Sequence, residues 1–175
     1  MLVVACLLPG CRSPETVGSA EAADPTVTRL KPRSGGILLE WEALLPPADT
    51  SGERLRPVGT RKRGGGWSGE AELEFEAAGP GSFVAFDLPI PEAREYDLAA
   101  QFSRGPEYGR VQVSVDGRPL GAVFDGWAAA PAPSGRVPLG RVRLERGDHE
   151  IRFEVVGKND AAAGYHVGLD ALVLE

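Results

Sequence analysis

From Glu70 to Ala77 the chain alternates acid and apolar residue without a break: Glu70-Ala71-Glu72-Leu73-Glu74-Phe75-Glu76-Ala77. Side chains on a strand point to opposite faces in turn, whereas on a helix a face recurs every three or four residues. This octet therefore has a single apolar face only as a β-strand; on a helix its apolar residues would scatter around the circumference. The pattern outweighs glutamate's poor strand propensity. It predicts Ala71, Leu73, Phe75 and Ala77 against a core and the glutamates in water.

Short runs of the same kind recur along the chain, over residues 37–45, 82–88, 94–103, 110–116, 121–124, 135–144, 149–156 and 165–174. Tyr96, Leu98, Ala100 and Phe102 share one face, as do Val111, Val113 and Val115. Asp116-Gly117 signals a tight hairpin, because such a turn needs residues that tolerate positive φ. Arg146-Gly147-Asp148 marks another turn, and 23 glycines and 15 prolines supply many more. The last run is almost continuously apolar, which predicts a central strand buried on both faces. A polar, basic stretch, residues 49–66, interrupts the series with Arg61-Lys62-Arg63 and Gly64-Gly65-Gly66. Strands at this spacing without a convincing helix predict an all-β, antiparallel sandwich or barrel. About 140 residues are enough to bury a stable core without staples.

Charge and cysteine usage exclude several classes of function. The formal net charge is -6. Before Ile37 stand Arg12, Arg29, Lys31 and Arg33 against Glu15, Glu21 and Asp24, so the remainder is more acidic than the whole. Such a domain has no general electrostatic support for nucleic-acid binding. The only cysteines, Cys6 and Cys11, precede the β region, which excludes disulfides, thiol chemistry and zinc knuckles from it.

The start of the chain, Met1-Leu2-Val3-Val4-Ala5-Cys6-Leu7-Leu8-Pro9-Gly10-Cys11, resembles a bacterial lipobox, in which a small residue precedes a cysteine that is acylated after cleavage. That resemblance implies a lipoprotein-type signal peptide over residues 1–10, lipidation of Cys11 and attachment to a membrane of the bacterial cell envelope. An ordinary signal peptide or a spurious N-terminus is the competing reading. Residues 11–36, rich in Ser, Pro, Glu, Ala and Gly, read as a flexible tether. Residues 37–175 read as one domain.

Several motifs in that domain resemble carbohydrate-binding modules of families six and thirty-five, which are galactose-binding-like jelly rolls. They are Glu40-Trp41-Glu42, Gly66-Trp67-Ser68-Gly69, Tyr96-Asp97-Leu98, Val115-Asp116-Gly117, Arg146-Gly147-Asp148-His149 and Gly168-Leu169-Asp170-Ala171-Leu172. Arg104-Gly105-Pro106-Glu107-Tyr108-Gly109, Phe124-Asp125-Gly126-Trp127 and Gly157-Lys158-Asn159 look like a related sandwich appended to bacterial glycoside hydrolases. The resemblance implies a jelly-roll β-sandwich that binds a glycan without transforming it.

It also implies two sites. Glu40, Glu42 and Asp170 would hold a structural calcium. Residues two apart on a strand share a face, so Glu40 and Glu42 repel unless a cation or solvent screens them, and calcium takes oxygen ligands. The competing reading is a solvated strand face with Asp170 ending a strand. The sugar site would lie on loops at one end of the sandwich, with Trp67, Tyr108, Trp127 and Tyr165 packing on sugar C–H faces. Asn159 matches the position of a sugar-binding asparagine, and Lys158, Asp160 and Asp125 would add polar contacts. For each aromatic the alternative is structural: Trp67 plugging the sandwich end, Tyr108 anchoring a turn, Trp127 packing under its own loop.

Enzyme signatures are weak. His149 and His166 are the only histidines, and no Gly-x-Ser-x-Gly motif is present. Gly64-Gly65-Gly66 lacks the Lys-Ser/Thr of a phosphate loop. A hydrolase needs only two carboxylates at a set separation, but no pair stands out. The expected function is noncatalytic glycan binding by an envelope-tethered module. The rival is a surface domain for protein contacts that keeps the fold without the sugar site.

Overall fold

A computed structural model describes residues 31–33 and 36–175. The signal segment, Cys11 and most of the span read as tether lie outside the described residues. Alternating residues pair into two antiparallel sheets. β1 (Lys31–Arg33), β2 (Gly36–Glu40), β4 (Leu55–Gly59), β5 (Ala71–Phe75), β7 (Arg94–Arg104), β10 (Ala132–Leu144) and β12 (Val167–Leu174) form the larger sheet. β3 (Asp49–Thr50), β6 (Phe83–Ile90), β8 (Gly109–Val115), β9 (Arg118–Asp125) and β11 (Gly147–Lys158) form the smaller one. β12 is central, as its apolar run predicts. It pairs with β7 on one side, and with β2 and β5 on the other.

The core lies between the sheets. Leu73, Phe75, Leu98, Ala100, Phe102 and Leu169 of the larger sheet meet Val84, Phe86, Val111, Val113, Ile151 and Phe153 of the smaller, all buried. Trp41 is fully buried, with its ring centroid 4.9 Å from Phe153 and 5.2 Å from Phe86. Asp116 (φ 49) and Gly117 (φ 74) make the two-residue turn between β8 and β9, both in the positive-φ region a type I′ turn demands. His149 ties this hairpin to the next turn, with Nδ1 2.7 Å from Asp116 Oδ2 and Nε2 2.9 Å from the Glu145 carbonyl.

Four expectations need correction. The strand expected over residues 37–45 stops at Glu40, and Trp41–Leu44 is a 3-10 turn that swings Trp41 into the core. The polar stretch after residue 48 contains two strands, and β4 pairs with β5 along its whole length. The final strand begins at Val167, so Tyr165 belongs to the preceding loop. Most consequentially, the glutamate face of β5 is not wet: Glu72 is fully buried and Glu74 nearly so.

Candidate functional site

Three loops meet at one end of the sandwich: residues 105–108 between β7 and β8, 126–131 between β9 and β10, and 159–166 between β11 and β12. Backbone hydrogen bonds lace them together. Gly105 N donates to Gly126 O (2.9 Å), Gly126 N to Gly109 O (2.9 Å), Gly109 N to His166 O (2.9 Å) and Ala163 N to Pro106 O (2.8 Å). A side chain at position 126 is excluded, since a Cβ there would stand 2.8 Å from Gly109 O. The side chains on these loops are thus carried by a rigid frame.

Asp125, the last residue of β9, organises this end. Its Oδ1 accepts from Trp127 N (3.1 Å), and its Oδ2 accepts from Asn159 Nδ2 (3.0 Å) and Arg110 Nε (3.1 Å). Burial alone would raise its pKa, but the Asn159 amide, the Trp127 N–H and the Arg110 guanidinium outweigh it and hold the carboxyl below its ordinary value. Asn159 is fixed at its other end as well, accepting from Ala161 N through Oδ1 (3.1 Å). Beside this node opens a cavity of about 550 Å³, between the edges of β9 and β10. Phe124, Val123 and Pro138 give it apolar walls; Asp125, Asn159, Trp127 and Arg104 give it polar and aromatic ones. That combination of apolar wall and a few oriented polar groups is what small-ligand pockets have in common.

The structure divides the residues proposed from sequence. Asp125, Trp127 and Asn159 come together in this cavity. Lys158 and Tyr165 pair with each other, the ammonium 4.9 Å from the ring centroid, and neither lines it. Asp160 is exposed beyond them.

Trp67 and Tyr108 belong to a different place, the outer face of the larger sheet. There the segment after β4 folds back over β5, β12 and β7. Trp67 Nε1 donates to Ser103 Oγ (2.6 Å), and Ser68 N donates to both carboxylate oxygens of Asp170 (3.0 and 2.8 Å). Arg63 pairs with Glu72, and Arg56 bridges Glu74 (2.5 Å) and Glu76 (2.8 Å). The Tyr108 hydroxyl lies 3.2 Å from Glu74 Oε2 and 3.4 Å from Glu72 Oε1. Burial first, and then these two carboxylates, push its pKa up. Gly168 lies beneath the cluster, where a Cβ would come within 2.8 Å of Glu72 Oε2. The rings of Trp67 and Tyr108 therefore roof and anchor a polar network.

Asp170 is the extra residue of a bulge in β12, between Leu169 and Ala171, and it is fully buried. Burial first, and then the neighbouring Glu72, Glu42 and Glu40, raise its pKa to about 7 against the opposing pull of the Ser68 N–H. The donor chemistry of Glu40, Glu42 and Asp170 suits a hard cation. Their spacing is not that of a closed coordination shell: among the described residues no group of three or more His, Cys, Asp or Glu is placed to hold a metal ion.

Sequence reasoning missed Arg104 in the cavity and Arg63, Glu72 and Glu74 on the outer face. Glu72 and Glu74 carried a signal of their own, since an unbroken acid row on one strand face demands compensating cations. Arg104 carried none beyond its place in a turn motif.

No protein-family model matches the sequence, and no curated protein matches it. Solved structures resemble its fold. A Paenibacillus xanthan lyase matches with a TM-score of 0.70 and 23% identity over 82% of this chain, which corresponds to 13% of the lyase. A CBM36 domain of a multidomain xylanase from the hindgut metagenome of Trinervitermes trinervoides matches at 0.51 and 13% identity, over 80% of this chain and 96% of its own. A family 35 carbohydrate-binding module from Clostridium thermocellum matches at 0.50 and 15% identity, over 81% of this chain and 98% of its own. The chain thus spans only a small part of the lyase but nearly the whole of each module. At these identities the likeness is one of fold, an antiparallel β-sandwich that this chain shares with those modules.

Proposed function

We propose that the domain binds a glycan without transforming it, in the cavity walled by Phe124, Asp125, Trp127 and Asn159. The observation that carries this reading is the fixed node at Asp125. One carboxylate orients both the Trp127 backbone and the Asn159 amide, so an aromatic ring and an amide are held ready on a rigid frame. Preorganisation of this kind lowers the ordering cost of binding a flexible, hydroxyl-rich ligand. The modules of like fold support the same reading.

Calorimetry of residues 31–175 against plant, algal and microbial oligosaccharides tests it. Saturable binding is expected, weakened about tenfold or more by Trp127→Ala and by Asn159→Ala. Trp67→Ala, which alters the outer face, serves as the comparison and is expected to weaken it less. Binding that survives both cavity changes intact would move the site elsewhere. New reducing ends released from the same glycans would replace the noncatalytic reading with a hydrolytic one.

A structural calcium at Glu40, Glu42 and Asp170 belongs to the same proposal, and rests on hard-oxygen chemistry alone: the charges of Glu40 and Glu42 act on the buried Asp170 carboxylate, and an ion there would offset them. A ligand that binds only the native state raises stability. Adding calcium in millimolar excess to chelator-treated protein is expected to raise Tm by at least about 4 °C. A Tm that stays put removes the ion from the proposal.

A further inference from the structure

We propose that His149 is a proton-operated latch: as an imidazolium it fastens the tip of the β8–β9 hairpin to the turn before β11, and on losing its proton it releases one of the two. The latch sits at the opposite end of β9 from Asp125 and does not depend on what the cavity holds.

Both ring nitrogens face acceptors. Nδ1 stands 2.7 Å from Asp116 Oδ2, and Nε2 stands 2.9 Å from the Glu145 carbonyl. An ionised carboxylate and a carbonyl can only accept, so each needs an N–H from the ring. Neutral imidazole has one N–H, and only the imidazolium has two. In the neutral form one nitrogen would turn a lone pair toward an oxygen. Water reaches little of the ring, since the side chain is 15% exposed, so the missing donor is not readily replaced.

The charged groups around the ring favour the imidazolium. Asp116 comes from the hairpin turn and Asp148 from the start of β11 itself. From the turn after β10, Glu145 offers its carbonyl, while its carboxylate pairs with Arg143 (3.0 Å). From β6, Leu88 stands opposite His149, and Asp87 opposite the adjacent Glu150. Arg118 and Arg146 flank the two turns, but the Asp116 carboxylate is taken by His149 and by Glu150 N (3.1 Å). Burial alone would lower the pKa of His149; the Asp116 hydrogen bond, the Glu145 carbonyl and the charges of Asp116 and Asp148 outweigh it and hold it above the ordinary value. A proton bound more tightly by the folded than by the unfolded chain stabilises the fold. That contribution is complete below the unfolded value of about 6.5 and is lost as pH rises through the higher folded value.

What the latch holds is the tip of an edge strand, since β9 pairs with β8 alone in its sheet. The tip is also where the backbone is most constrained: Asp116 (φ 49) is the one residue other than glycine with positive φ among the described residues. Asp116 N still donates to Glu150 O (2.9 Å) when the ring lets go. Release therefore loosens the tip without unfolding the hairpin.

NMR of the whole chain from about pH 5.5 to about pH 9 tests this. The His149 ring signal is the one that His149→Gln removes, and it is expected to titrate with a midpoint above about 6.5. Asp116→Asn keeps a residue tolerant of positive φ at the turn and is expected to lower that midpoint by at least about half a unit. Amide relaxation at residues 116–118 is expected to show greater mobility as pH rises through the midpoint. His149→Gln is expected to show the mobile tip at every pH. Urea unfolding is expected to show the parent protein's advantage over His149→Gln at about pH 6 and its loss by about pH 9. Asp116→Asn is expected to flatten the same pH dependence, so the outcome does not hang on one variant folding. A His149 midpoint at or below about 6.5 would overturn the latch. So would a midpoint that Asp116→Asn leaves in place, or a hairpin tip whose mobility ignores pH across the titration.

Discussion

Replacing Phe153 with alanine is expected to cost about 3–5 kcal/mol of stability, read as a lower denaturant midpoint with little change in slope. Phe153 is fully buried at the middle of β11, which pairs with β6 on one side and β8 on the other. Its ring is the hub of the aromatic core. Trp41 stands 4.9 Å away at 84°, Phe102 6.1 Å away at 81°, and Phe86 6.5 Å away at 68°. Those three come from the 3-10 turn, the larger sheet and the smaller sheet, so the ring joins both layers. Because β11 is locked by ladders on both edges, the backbone cannot close over the gap, and the cost falls toward the upper part of the usual range for aromatic truncation. Val156→Ala, on the exposed side of the same strand, is the control and is expected to change stability by less than about 0.5 kcal/mol. A Phe153→Ala loss no greater than that control would mean the sheets are not joined through this ring.

Faces were legible in the sequence; what covers a face was not. The alternation in β5 tells which side of the strand Leu73 and Phe75 take, and they take it. It cannot tell that a segment from before the strand folds back over the other side, because that contact depends on Arg63 and Trp67 reaching Glu72 and Ser103. Periodicity is a property of one strand, whereas burial of its polar side is a property of three. Trp41 misleads for a related reason. Its flanking glutamates continue the strand pattern, but the chain leaves the sheet at Glu40, and the 3-10 turn redirects the indole inward. β4 was hidden by Arg56 and Pro57, which read as loop, although Arg56 is charged in order to face the acids of β5. The candidate cavity was half legible. Asp125, Trp127 and Asn159 stand in turn motifs that draw notice, and the structure gathers them. Arg104 ends a strand, as many solvated arginines do, and only its burial against Phe124 sets it apart.

Removing Arg63 is expected to destabilise the fold by about 3–5 kcal/mol, a loss out of proportion to a side chain on an irregular segment. The reason lies with its partner. The Glu72 side chain is wholly inaccessible, while that of Arg63 is 26% exposed. Glu72 Oε1 receives Arg63, with the Tyr108 hydroxyl 3.4 Å away, and Glu72 Oε2 has no partner at all. Without Arg63 a buried carboxylate would be left beside Glu74 and Asp170, with no cation to offset its desolvation. The segment itself has other holds, including Trp67 on Ser103 and Ser68 on Asp170, so Arg63→Met need not unfasten it. The damage is therefore electrostatic, and that makes it reversible by a second change. The double variant Arg63→Met with Glu72→Leu removes both charges together and is expected to recover most of the loss, as replacing a buried ion pair by apolar residues often does. Glu72→Gln alone is expected to cost less than Arg63→Met, because a partly exposed guanidinium can turn to water and a buried carboxylate cannot. Urea unfolding of the four proteins at neutral pH decides the matter. If Arg63→Met costs under about 1 kcal/mol, the pair is no stronger than an ordinary surface salt bridge. If the double variant is no better than the single, the segment and not the charge holds this face closed.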